Sequence, residues 1–96
     1  DIIDGLPDLV QAGGRRPFET VHVEVNDRFV GRGYGIPTDE SREAIALTAR
    51  TEAIFLDPTY TAKAMAALIA AMRTRAFSVT DTVLFWHTGG QVALFA

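Results

Sequence analysis

The run Thr82-Val83-Leu84-Phe85-Trp86-His87 is the feature that most limits what this chain can fold into. It is apolar, β-branched or aromatic at almost every step instead of alternating, and a strand written that way expects cover on both faces, as in a parallel sheet between helices. The run ends in Thr88-Gly89-Gly90, after which Gln91 to Ala96 reads as the start of another helix. A doubly covered strand with helices before and after it predicts an α/β fold.

The preceding segments supply those helices. Asp57-Pro58 reads as a helix start, because Asp is a favoured N-cap and proline is tolerated at the first helical position. That helix is expected from Thr59 to about Arg73, and its stretch Ala64 to Met72 is apolar throughout and rich in alanine, so it wants neighbours on most sides. An earlier helix is expected to start at the N-cap Thr38, with Asp39 and Glu40 at the positive end of its dipole, and to run to about Arg50 or Thr51. It should bury Ala44, Ile45, Leu47 and Thr48. Ala53 to Leu56 reads as a short connector.

Upstream, Val21, Val23 and Val25 alternate with His22 and Glu24, the period of a half-buried strand. Asn26-Asp27 is suited to a tight turn, so Arg28-Phe29-Val30 is expected to return as the second strand of a β-hairpin. Ile2 to Ala12, broken by Gly5 and Pro7, reads as a short helix leading into the loop Gly13-Gly14-Arg15-Arg16-Pro17.

Composition narrows the function classes. Nine basic residues scattered among twelve acidic ones leave a net charge of -3. Nucleic-acid binding, which needs clustered cations, is not expected. No apolar run approaches the length of a membrane span and no signal-peptide layout opens the chain, so a soluble cytoplasmic protein is expected. Without cysteine, and with only His22 and His87 as imidazoles, neither a thiol nucleophile nor a metal site is expected. The chain begins without Met and stops inside an apolar stretch, and several segments are too apolar for 96 residues to cover, so residues 1–96 are expected to be one segment of a larger protein.

Three places can carry chemistry. Gly31-Arg32-Gly33-Tyr34-Gly35-Ile36-Pro37 is a glycine loop before a helix, where phosphate can bind, although Ile36 stands where a dinucleotide fingerprint needs glycine and Asp39 and Glu40 repel anions. The other reading is a tight turn with a packed tyrosine. In Asp57-Pro58-Thr59-Tyr60-Thr61, Tyr60 lies near the helix start with Lys63, the chain's single lysine, one turn on; both would favour the phenolate. Alternatively Tyr60 only packs and hydrogen-bonds, and Lys63 is a solvated charge. Thr88 falls beyond the carboxyl end of the expected strand, where α/β sheets bind ligands, and Gly89-Gly90 leaves room for a cofactor, or else serves only the turn.

Taken together, Gly33-Tyr34-Gly35-Ile36-Pro37-Thr38, Ala49-Arg50-Thr51-Glu52, Leu56-Asp57-Pro58-Thr59-Tyr60-Thr61-Ala62-Lys63-Ala64-Met65 and His87-Thr88-Gly89-Gly90 resemble the C-terminal part of the D-cysteine desulfhydrase and 1-aminocyclopropane-1-carboxylate deaminase family. The resemblance covers about Val21 to Ala96. It implies a pyridoxal 5'-phosphate enzyme of the tryptophan-synthase-β fold (fold type II), of which this chain forms part of a three-layer α/β sandwich. It also implies roles: Tyr34 and Tyr60 as active-site tyrosines, Thr88 facing the pyridine nitrogen beside Gly89, and Thr61 at the substrate. The deaminases carry glutamate at the position of Thr61 and leucine at that of Thr88, so the threonine pair favours the desulfhydrase branch. Arg32, Thr59 and Ala62 depart from the family's usual proline, valine and glycine.

The activity implied is α,β-elimination of D-cysteine or a related D-amino acid to pyruvate, ammonia and hydrogen sulfide. The lysine that carries the cofactor and the main phosphate-binding loop are expected in an N-terminal part of the same enzyme, without which these residues are not catalytic. A homodimer is implied for the full enzyme. The competing expectations are a deaminase that opens the cyclopropane ring, and a non-catalytic α/β fragment or binding module.

Overall fold

A computed structural model describes residues 22–95. Helix α1 spans Asp39–Glu52, helix α2 spans Thr61–Arg73, and Gln91–Phe95 closes the described chain as a 3-10 turn. The short helix expected over Ile2 to Ala12, the loop after it and Val21 lie outside the described residues.

Helix α1 begins at Thr38, as the sequence predicts. The Thr38 hydroxyl accepts from the Ser41 amide at 3.0 Å and the Ser41 hydroxyl accepts from the Thr38 amide at 2.9 Å, a reciprocal cap that satisfies two otherwise unpaired N–H groups. Its far end is less favourable. Ala53 takes a left-handed conformation (φ 56°) to bring its N–H back to Ala49 O, a position better suited to glycine.

Helix α2 starts at Thr61, two residues later than the expected Thr59 and with Tyr60 and not Asp57 at its N-cap, because residues 58–60 form a turn around Asp57. The two helices pack through small side chains. Ala44 of α1 meets Ala66 and Ile69 of α2, and Phe29, Leu47 and Met65 close over them. Thr48 is buried as expected, while Ile45 and Leu47 are only half-buried. Arg73 Nη1 donates to Glu43 Oε1 at 2.7 Å across the helix pair; exposed on both sides, such a bridge contributes at most about 1 kcal/mol.

The strands expected from the sequence do not form among the described residues. The chain turns later than expected, at Arg28-Phe29, with Asn26 Oδ1 accepting from the Arg28 amide at 3.0 Å and Asp27 O from the Val30 amide at 3.4 Å, and no hairpin forms among the described residues. Val23 and Val25 are exposed. Thr82 to His87 forms no strand or ladder, and Leu84 and Trp86 are 78% and 77% exposed. The physical reason is common to both: a strand is completed by backbone partners on another segment, and a lone pair of strands is marginal in water. The helix expected from Gln91 is likewise a 3-10 turn here.

Candidate active site

Asp57 organises the site. Its carboxylate is almost wholly buried (2% exposed) and accepts four hydrogen bonds: Oδ2 from the amides of Thr59 (2.9 Å) and Tyr60 (2.6 Å), Oδ1 from the amide (2.8 Å) and hydroxyl (2.6 Å) of Thr61. Burial alone would push its pKa up; the Thr61 hydroxyl and the amides of Thr61, Tyr60 and Thr59 outweigh burial and hold the carboxyl below its ordinary value. The amides at the start of α2 are therefore occupied from within the chain.

Thr61 is enclosed by the same arrangement. Its hydroxyl donates to Asp57 Oδ1 and accepts from the Asp57 amide at 2.8 Å, and the side chain is buried. Where the resemblance implies a substrate contact, the geometry gives Thr61 a bracing bond to Asp57.

Tyr60 projects from this turn toward Tyr34 of the glycine loop. Their hydroxyls are hydrogen-bonded, with the rings edge to face and centroids 5.7 Å apart. Both rings are exposed on their outer side, beside a cleft of about 380 Å³ bounded by Phe29, Val30, Lys63 and Ala64. The Tyr60 pKa lies above the ordinary phenol value, chiefly because of the Tyr34 hydrogen bond, with smaller contributions from burial and from the charges of Tyr34 and Asp57. This corrects the expectation of a favoured phenolate. The helix amides that would have supplied positive potential serve Asp57, and Lys63 Nζ is engaged elsewhere, donating to Val30 O at 2.7 Å and Gly33 O at 3.0 Å.

The glycine turn after His87 docks onto this assembly. His87 Nε2 lies 2.8 Å from Phe55 O while the Gly89 amide donates to Nδ1 at 3.0 Å, which together require a neutral ring with its proton on Nε2. Gly90 (φ 87°) sits so close to Asp57 that an added Cβ would lie 3.1 Å from the Asp57 Cβ. Gly89 (φ 95°), by contrast, faces open space, and Thr88 is exposed next to it. Of the residues the sequence singles out, Tyr34 and Tyr60 are brought together, while Thr88 and Gly89 make no contact with either tyrosine; the tie from His87 to Phe55 and the seat of Gly90 on Asp57 have no local sequence signal.

The Asp57 carboxylate thus holds the turn that carries Tyr60 and seats Gly90, and the tyrosine pair borders the cleft. A family model described as pyridoxal-phosphate dependent enzyme matches residues 2–89. The chain belongs to that family, which uses pyridoxal phosphate on small amino-acid substrates and has the tryptophan-synthase-β-like fold.

For that cofactor, the described residues offer an exposed Thr88 hydroxyl able to donate or accept, beside open space at Gly89. The phosphate and the carbonyl carbon find no partner among the described residues. The α2 start is closed by Asp57, the α1 start carries Asp39 and Glu40, and Lys63 is a buried residue whose ammonium is bound to two carbonyls.

Proposed function

We propose that this chain is the C-terminal segment of a D-cysteine desulfhydrase-like lyase, which eliminates the β-sulfur of D-cysteine or a related D-amino acid. Elimination breaks the Cα–H and Cβ–S bonds, and hydrolysis of the resulting enamine takes up one water to give pyruvate, ammonia and hydrogen sulfide. When bound, pyridoxal phosphate supplies the electron withdrawal that makes the Cα proton acidic.

The observation that carries the reading is the hydroxyl-to-hydroxyl pair of Tyr34 and Tyr60, formed by residues 26 positions apart and open to a cleft. With its pKa raised, the Tyr60 hydroxyl keeps its proton through neutral pH, so the pair acts as donor to the leaving sulfur and not as the base at Cα. Thr88 would present a neutral hydroxyl to the pyridine nitrogen of the bound cofactor, which would leave that nitrogen unprotonated and moderate the electron withdrawal. The N-terminal part of the same enzyme holds the phosphate and the cofactor's lysine. A cytoplasmic homodimer belongs to the same reading.

The test is release of hydrogen sulfide and pyruvate by the full-length enzyme with pyridoxal phosphate, comparing D-cysteine with 1-aminocyclopropane-1-carboxylate. Release from D-cysteine is expected, with Tyr60→Phe lowering kcat by about 100-fold or more, the scale of a lost general acid. Ammonia from the cyclopropane substrate, with no hydrogen sulfide from D-cysteine, overturns the proposal.

A further inference from the structure

Lys63 is a buried cation without an anionic partner among the described residues. Burying an ammonium is costly unless its protons are satisfied. Here two backbone carbonyls satisfy it, Val30 O at 2.7 Å and Gly33 O at 3.0 Å, contributed by a segment 30 residues and more away in sequence. Those carbonyls lie just before Tyr34, in a loop where Gly31, Gly33 and Gly35 all have positive φ (73°, 150° and 74°). A loop with that many permissive residues has many conformations to choose from. The helix residue that bonds it, Lys63, lies three positions after Tyr60.

We infer that Lys63 is a positioning residue, clamping the glycine loop through the Val30 and Gly33 carbonyls so that the Tyr34 hydroxyl meets that of Tyr60. The tyrosine pair is then a product of the clamp and not of the tyrosines alone. Charge-assisted bonds from one ammonium fix the loop at two points, and the edge-to-face ring contact adds a weaker attraction to that. Lys63 acts at the loop backbone and needs no direct contact with substrate. The clamp rests on the proposed function only for what the tyrosine pair does, not for its existence.

The experiment follows the ring ionisation of the two tyrosines by NMR in the full chain with ¹³C-labelled tyrosine, assigned with Tyr34→Phe and Tyr60→Phe. The groups that face Tyr60 are Tyr34 and Asp57, with Lys63 beside the same cleft. Tyr34→Phe removes the main cause of the raised Tyr60 pKa, so Tyr60 then titrates lower. Lys63→Met is expected to produce the same downward shift with helix content unchanged by circular dichroism. Lys63→Cys, aminoethylated in urea and refolded, restores the ammonium and should restore the shift.

A folded Lys63→Met chain in which Tyr60 titrates as in the unaltered chain overturns the inference. Should that variant not fold, the acetylation rate at Lys63 in the unaltered chain decides. Protection of about tenfold or more over the urea-unfolded chain is expected, since two hydrogen bonds must open first, and equal rates overturn the clamp. None of these readouts needs substrate or cofactor, so the clamp and the desulfhydrase reading fail separately.

Discussion

The turn around Asp57 and the segment from Val79 to Trp86 are both rich in residues that avoid or exploit water, yet only one is closed. Asp57 gathers its four donors from residues two to four positions away, so little chain entropy is lost in bringing them together. Val79, Val83, Leu84 and Trp86 are all exposed. A strand cannot satisfy its own backbone, and partners for this one are not among the described residues. The contrast explains why the site's hub is complete here while the sheet that the family's fold implies is not.

The largest effect that would break this contrast is at the hub. Asp57→Ala leaves three amides and a hydroxyl without their acceptor and should lower stability by about 3 kcal/mol or more, read by urea unfolding. The pH dependence has a definite sign. The Asp57 pKa is lower folded than unfolded, so its stabilisation is complete above the ordinary carboxylate value of about 3.9 and is lost as pH falls through the folded value. Asp57→Ala should remove that acid dependence, and a variant equally acid-sensitive would place the hub elsewhere.

Gly90→Ala should cost less, about 1–2 kcal/mol, from its left-handed φ and the close approach to Asp57. Combined with Asp57→Ala the two losses should be less than additive, because they share one contact. Additive losses would mean that the glycine turn does not rest on the carboxylate. Ala53→Gly should stabilise by about 0.5–1 kcal/mol by relieving the left-handed residue after α1, measured as a higher thermal midpoint. Smallest of all, Leu84→Ser should change the stability of these residues by no more than about 0.5 kcal/mol, and its amide should exchange with solvent far faster than that of Thr61. A large loss there would show that this segment is already packed.

Much of the site was legible because its signals are local. Thr38 as a cap and the need for glycine angles at Gly89-Gly90 each depend on neighbouring residues and backbone angles, and both appear where the sequence predicts them; Asp57 holds the turn before the second helix, whose N-cap is Tyr60 and not Asp57. The ionisation of Tyr60 was not legible. Sequence spacing puts a helix start and a lysine nearby, but which groups those amides and that ammonium serve is decided by Asp57, Val30 and Gly33. Nor does spacing show that the Thr61 hydroxyl faces inward, since that follows from the turn at residues 58–60.

The sequence by itself determined the two helices, the Thr38 cap of the first and, through its assembled motifs, the cofactor family. Each of these rests on interactions within a few residues or on the pattern of the motifs themselves. Only the tertiary structure decided that Tyr34 meets Tyr60, that Lys63 binds the loop carbonyls, and that Gly90 seats on Asp57. Those contacts join residues 26 to 33 positions apart, where the geometry of the whole path between them sets which groups arrive within bonding distance.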